Sequence, residues 1–242
     1  MDKPTASIRI APGAPESTDG IALAVIAKAP VAGRSKTRLC PPCSSEQAAA
    51  LAQAALLDTL SAVARTSAGR HVLVLDGEPG RWLDEALRQA GNEIDGFEVI
   101  AQRSGGLADR LAGAFADIGQ ATLLIGMDTP QITCALLHRG LHELSQAGND
   151  AVLGRAHDGG YWAIGLTDPD PRVFAGVPMS TAGTADIQWR KLRMLGLSTV
   201  ELDALRDVDY FRDALEVAAV NPSTRFARTL APIATELQRV AA

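Results

Sequence analysis

The sequence lacks the raw material for several kinds of protein. No uninterrupted apolar run approaches the roughly 20 residues that a bilayer-spanning helix needs, so no membrane partner is expected. Aromatic residues make up only 4%, and there is no long exposed amphipathic helix, which leaves little for a dedicated interaction protein. The formal charge of −5 offers no broad basic surface for a nucleic-acid backbone. A G-x-G-x-x-G fingerprint is absent after the first apolar run, which argues against a nicotinamide or flavin enzyme. Of three cysteines, Cys40 and Cys43 form a C-x-x-C pair, and Cys134 lies at i, i+4, i+8 with His138 and His142. A thioredoxin-type pair opens a helix directly after a strand, whereas here a polar loop intervenes, and zinc needs three or four such groups to converge from separate elements. Reduced cysteines and surface histidines are the expectation.

What remains is the composition of an ordinary α/β protein. The chain has 242 residues, 47% apolar and 21% charged, enough to bury a substantial core in one domain. Residues 1–20, with Pro4, Pro12, Gly13, Pro15 and Gly20, read as a disordered leader without the apolar core of a signal peptide, and a cytoplasmic location is expected. From Ile21 onward, short β-branched runs alternate with Ala/Leu-rich helical patterns, which predicts a single three-layer α/β/α domain over 21–242 with a mainly parallel sheet. Strands are expected at 21–27, 71–76, 97–101, 121–126, 151–154, 161–166 and 198–202. Helices are expected from Ser44, with Gln47 completing a capping box, to about Arg65, and at 81–90, 107–118, 133–148 and 185–195. Asn221 and Pro222 read as N-cap and first turn of a terminal helix reaching Val240.

The densest signal follows the first strand. In Lys28 to Leu39 (KAPVAGRSKTRL), the cations Lys28, Arg34, Lys36 and Arg38 cluster around Gly33. Backbone N–H groups can approach an anion where a glycine removes the Cβ, and lysine and arginine add charge-assisted hydrogen bonds. Open α/β sheets bind ligands just outside the carboxyl ends of their strands, so the loop reads as a phosphate cradle. It is no Walker A loop: Lys36-Thr37 supplies the ending, but Ser35 stands where the second glycine must be and Pro30 interrupts the start.

Acidic residues gather at the same edge. The fourth strand runs into Gly126-Met127-Asp128-Thr129-Pro130, and a carboxylate opposite a phosphate cradle suits Mg²⁺ or Mn²⁺, which bridges protein and phosphate oxygens. A second carboxylate is sought in Asp207 and Asp209 of DVD or Asp158 of DGGYW; each has a capping or turn reading as well. The paired glycines 159 and 160 allow a ligand or another backbone to come close, Tyr161 can stack or present its hydroxyl, and Trp162 is expected in the core. Gly105 and Gly106 either border a nucleotide or start the helix at Leu107.

In order and spacing, AKAPVAGRSKTRL, LLDTL, GGLADRL, IGMDTP, DGGYWAIGL, the Ser180-Thr181 pair and DVD resemble a bacterial family of radical-SAM/selenodomain-associated, glycosyltransferase-like transferases with the nucleotide-diphospho-sugar transferase (GT-A) fold. Its wider relatives include 2-phospho-lactate guanylyltransferase and the molybdenum-cofactor nucleotidyltransferases. The resemblance implies that the basic loop and Asp128 form a nucleotide and metal site, with Asp209 the closest match to the second metal carboxylate. Tyr210-Phe211 departs from the Thr-Pro that follows DVD in relatives, and Gly106 stands where they often carry Asp.

Three functions compete. In nucleotidyl transfer from an NTP to a small acceptor, Lys28, Arg34, Lys36 and Arg38 hold the phosphates and a metal on Asp128 and Asp209 neutralises the developing charge. Lys36→Ala should then abolish turnover with little loss of folding. In glycosyl transfer from a nucleotide sugar, Asp128 holds the metal and Asp158 orients or deprotonates the acceptor hydroxyl. The third is a degenerate nucleotide-binding module without chemistry.

Overall fold

The computed structural model describes residues 18–78, 83 and 96–241. Within them, seven strands form one sheet: β1 (Ala22–Lys28), β2 (Arg70–Asp76), β3 (Phe97–Ala101), β4 (Thr122–Gly126), β5 (Ala151–Ala156), β6 (Tyr161–Leu166) and β7 (Thr199–Leu205). Their order is β3-β2-β1-β4-β6-β5-β7. β1 pairs in parallel with β2 and β4, β2 with β3, and β5 with β7, while β6 runs antiparallel between β4 and β5. The hairpin β5–β6 brings its turn, residues 157–160, to the edge where the parallel strands end.

β1 reads as a continuous apolar run because both faces are covered. Leu23 and Val25 join one cluster with Leu56 and Leu60 of α1 (Ser45–Ala64) and Leu137 and Leu141 of α3 (Cys134–Ser145). Ala22 and Ala24 join the other with Leu111 and Phe115 of α2 (Leu107–Ile118) and Leu192 of α4 (Thr184–Met194). These are the three layers the alternation predicts. The chain ends in α5 (Phe211–Val220) and α6 (Arg225–Ala241), which pack outside α1 through a third cluster containing Leu39, Leu51, Val208 and Phe226. α1 is long and apolar enough to cross a membrane by composition alone, but its window is 67% buried because it is wedged between the sheet and α6. It is a core helix.

Several boundaries depart from the sequence reading. The Ser44–Gln47 capping box is present, and Thr133 caps α3 through Leu136 N–H, but α3 stops at Ser145 rather than near Gly148. β5 and β7 run two to three residues past their expected ends. Thr18–Gly20 form a 3-10 turn in which Thr18 O accepts from Ile21 N–H at 3.0 Å, so the described fold begins before Ile21; the remainder of the expected leader lies outside the described residues. The helix expected at 81–90 also lies outside them, except for Leu83, which is helical and buried.

The terminal helix begins three residues later than Pro222 suggests. Asn221 closes a turn, accepting from Ser223 N–H with its side chain, and Thr224 Oγ1 caps α6 by accepting from Ala227 N–H. The first free N–H groups of α6 are met from another helix: Asp58 of α1 accepts from Arg225 N–H at 3.0 Å and Phe226 N–H at 2.8 Å. Burial raises the Asp58 carboxyl, opposed by these two donors and by Arg225. Asp58→Ala is expected to cost about 2 kcal/mol, the loss of a cap plus two unsatisfied N–H groups. Calorimetry should show a midpoint lower by about 4–8 °C for a domain of this size; an unchanged midpoint would mean that apolar contacts alone hold α6.

Candidate active site

The chain leaves β1 toward β2 and leaves β4 toward β5, in opposite directions along the strand order, so a crevice opens between the loops that follow these adjacent strands. The loop after β1 is folded by Ser35, which is buried, donates to Ala29 O at 2.9 Å and accepts from Val31 N–H at 3.0 Å. The residue that spoils a Walker A match is thus the loop's internal brace. Gly33 takes φ +74 with open space where a Cβ would stand. It supplies the turn, and it is not among the residues that line the cavities below.

Lys36 has φ 50 and ψ 39, a left-handed conformation that costs a non-glycine residue free energy and persists only when its surroundings hold it. They do: its ammonium lies 2.6 Å from Asp128 Oδ1 and donates to Val208 O, with only 10% of the side chain exposed. Asp128 O in turn accepts from Val208 N–H at 2.9 Å. Two residues on, Arg38 Nη1 contacts Asp209 Oδ2 at 2.5 Å. The basic loop is therefore bound to both carboxylates that the sequence assigned to a metal. Lys28, Arg34, Lys36 and Arg38 line a cavity of about 240 Å³ together with Asp128 and Asp209.

A second cavity of about 430 Å³ shares Arg38, Asp128 and Asp209 with the first and adds Asp158, Asp207 and Tyr161. Asp158 sits in the β5–β6 turn, where it accepts from Gly160 N–H at 2.7 Å. Gly159, at φ +91, lies so close to the loop before α4 that a Cβ would stand 2.0 Å from Ala182 O; only glycine fits that turn. Carboxylate oxygens of Asp158, Asp207 and Asp209 lie within 4.8 Å of one another. Asp207 is pushed up to about 6, first by burial and then by the charges of Asp158 and Asp209. The acidic group therefore differs from the expected pair: Asp209 is gathered with Asp207 and Asp158, while Asp128 pairs with Lys36. Neither Asp207 nor Asp209 caps α5; Asp213 accepts from Tyr210 N–H instead.

A third cavity, about 270 Å³, also reaches Asp128 and is bordered by Lys28, Gln102, Leu107, Arg110 and Tyr161. Gln102 donates to Ala27 O and Val74 O, fixing the loop after β3 to the ends of β1 and β2. Gly105 and Gly106 do not line this or the other cavities. They serve the start of α2: Gly106 N–H donates to Asp109, and Gly105, at φ +114, leaves room for that carboxylate. Tyr161 is pushed up by burial, and its hydroxyl lies 3.4 Å from Gln188 Oε1. Trp162 is in the core, donating to Asp203 O at 3.0 Å.

Sequence reasoning missed several lining residues. Ser180, at φ 58, and Thr181 border the second cavity with Tyr210; the Ser-Thr string carried no role in sequence, and Tyr210 was read only as a departure. Thr129 borders it as well, and its buried Oγ1 has no hydrogen-bond partner. Cys43 packs in the cluster under α6, Cys134 Sγ faces Ala62 O, and His138 and His142 are exposed on α3. Among the described residues, the acidic trio is the only group of metal-ligating side chains that converges.

A family model described as "uncharacterized protein conserved in bacteria" (DUF2064) matches residues 59–181. No curated protein matches the sequence. Among solved structures, a protein from Desulfovibrio desulfuricans G20, provisionally described as a nucleotide-diphospho-sugar transferase, aligns with TM-score 0.77 at 24% identity over 91% of this chain and 97% of its own. A cytidylyltransferase from Leptospira borgpetersenii serovar Hardjo-bovis aligns with TM-score 0.53 at 11% identity, over 90% and 94%. The 4-diphosphocytidyl-2C-methyl-D-erythritol synthase of Anaerococcus prevotii DSM 20548 gives TM-score 0.50 at 12% identity, over 84% and 96%. The fold is that of the nucleotide-diphospho-sugar transferases.

Proposed function

The chain belongs to the DUF2064 family, and from that premise we propose that it is a divalent-metal-dependent transferase that binds an activated nucleotide, with nucleotidyl transfer from an NTP to a small acceptor as the favoured reaction. The observation that carries this reading is the junction of two cavities of opposite character: the cationic one and the acidic one meet at Arg38, Asp128 and Asp209. A polyphosphate in the first would present its reacting phosphorus toward an acceptor in the second.

The residues fit a hard divalent cation. The trio offers oxygen donors only, the set that suits Mg²⁺ or Mn²⁺. Burial first, and then the charges of Asp158 and Asp209, raise the carboxyl of Asp207; a cation relieves the repulsion among the three, and the orphaned Thr129 Oγ1 stands beside Asp128 in the same cavity. When bound, the ion would supply charge neutralisation at the phosphates. The chain's own part is positional. Lys28 and Arg34, which pair with no carboxylate among the ion pairs of the described residues, attract the phosphates, Lys36 fixes Asp128, and the hydroxyls of Ser180 and Thr181 face the acceptor.

Glycosyl transfer is the second reading, and one observation favours it. With Lys36 and Arg38 engaged by Asp128 and Asp209, Lys28 and Arg34 remain, a charge that matches a diphosphate better than a triphosphate. Thermal stabilisation by NTPs and nucleotide sugars, each with and without Mg²⁺ or Mn²⁺, separates the readings, since a ligand of the native state raises its stability. Metal-dependent stabilisation by one NTP is the expected result. A nucleotide sugar winning, with donor hydrolysis, moves the assignment to glycosyl transfer; no response to any of them overturns both.

A further inference from the structure

The geometry points to Arg38 as an exchangeable occupant of the metal site: its guanidinium holds Asp209 until nucleotide phosphate draws it away, so that nucleotide and divalent cation bind with positive coupling. This rests on the reading of the acidic trio as a cation site.

Arg38 and Lys36 sit two residues apart and behave differently. Lys36 is 10% exposed and shared between Asp128 and Val208 O, whereas Arg38 is 57% exposed and has one carboxylate partner, Asp209 Oδ2. The root of Arg38 is anchored, because Leu39 beside it is fully buried in the cluster under α6. Its head is more than half exposed, held by that single carboxylate, and borders both cavities. A cation drawn to Asp158, Asp207 and Asp209 competes with the guanidinium for the same carboxylate. Phosphate in the cationic cavity offers the guanidinium another anion within reach of its long side chain, and an arginine fork binds phosphate as readily as carboxylate. Each ligand then removes an obstacle to the other, and the coupling is reciprocal.

The test is Mn²⁺ alone titrated by calorimetry into metal-stripped protein, at constant ionic strength, for the wild type, Arg38→Gln, Arg38→Ala, Lys28→Ala and Asp209→Asn. Lys28 lines the same cavity but forms none of the site's ion pairs, so Lys28→Ala controls for loss of a nearby charge. Both Arg38 variants should bind Mn²⁺ about three- to fivefold more tightly, the upper scale of a partly exposed pair, Lys28→Ala less than about twofold more tightly, and Asp209→Asn much more weakly. Sulfate, a phosphate mimic that scarcely chelates Mn²⁺, should tighten Mn²⁺ binding in the wild type and leave the Arg38 variants unchanged. If Mn²⁺ binds and Arg38→Gln matches Lys28→Ala, the exchange is refuted while the cation site stands. Weaker binding by the Arg38 variants, or an unaffected Asp209→Asn, also refutes it. Absence of Mn²⁺ binding in every protein removes the cation site and the exchange together.

Discussion

Lys36→Ala is expected to lose nucleotide-dependent stabilisation, to lower turnover by about 10²- to 10³-fold, the usual effect of removing one electrostatic stabiliser, and also to weaken the fold. The last effect differs from the expectation from sequence, where Lys36 reads as a phosphate-holding cation whose loss costs little folding. Its ammonium ties three segments together: its own loop, Asp128 after β4 and Val208 after β7. Asp128 is 45% exposed and rehydrates when the lysine goes, but Val208 O loses a charged donor at a nearly buried position, for a cost of about 2 kcal/mol. Calorimetry should register it as a midpoint lower by about 4–8 °C. Lys36→Gly separates side chain from backbone. Glycine accepts φ 50 without the penalty that alanine bears, so Lys36→Gly should be about 1 kcal/mol more stable than Lys36→Ala although it removes more atoms. Equal stabilities would mean that the left-handed turn is unstrained, and full turnover in either variant would overturn the role of the ammonium.

The fold was legible because its signals are local. Apolar runs such as ALAVIAK mark strands covered on both faces, the Ser44–Gln47 box marks the start of α1, and alternation of strand and helix dictates layers. The edge that carries the site followed from the same reasoning, since Lys28 ends one parallel strand and Asp128 stands two residues past another. What could not be read was which charge would meet which. Lys36 and Asp128 are separated by 92 positions, and only the crevice between β1 and β4 brings them to 2.6 Å. The acidic trio depends on the antiparallel β6: its hairpin turn carries Asp158 to the edge where β7 delivers Asp207 and Asp209. The roles of the glycines in the backbone were only partly legible. Gly33, Gly105 and Gly106 serve backbone turns, whereas Gly159, whose packing on Ala182 no local rule foresees, holds Asp158 in place. Helix α6 was mis-started because its cap comes from Asp58 on another helix as well as from Thr224.

Asp207→Asn is expected to stabilise the protein without metal and to destroy its response to metal, two effects of opposite sign from one atom exchange. Asp207 is pushed up to about 6 by burial and by the charges of Asp158 and Asp209, against about 3.9 in an unfolded chain. Between those values the unfolded state has released its proton while the folded state still holds one. The contribution of Asp207 to the stability of metal-free protein therefore falls as pH rises through the window from about 4 to about 6, and stays reduced above it. Taken at face value the shift from 3.9 to about 6 is worth about 3 kcal/mol; solvent screening of a partly exposed carboxyl reduces this to about 1–2 kcal/mol. In EDTA at pH 7.5 the variant should melt about 3–6 °C above the wild type, and the two should converge near pH 4. With Mn²⁺ the order reverses, because the cation offsets the repulsion among three carboxylates in the wild type and finds only two in the variant. A variant that is no more stable than the wild type in EDTA would show that the trio carries no electrostatic strain, and undiminished Mn²⁺ stabilisation would place the cation elsewhere.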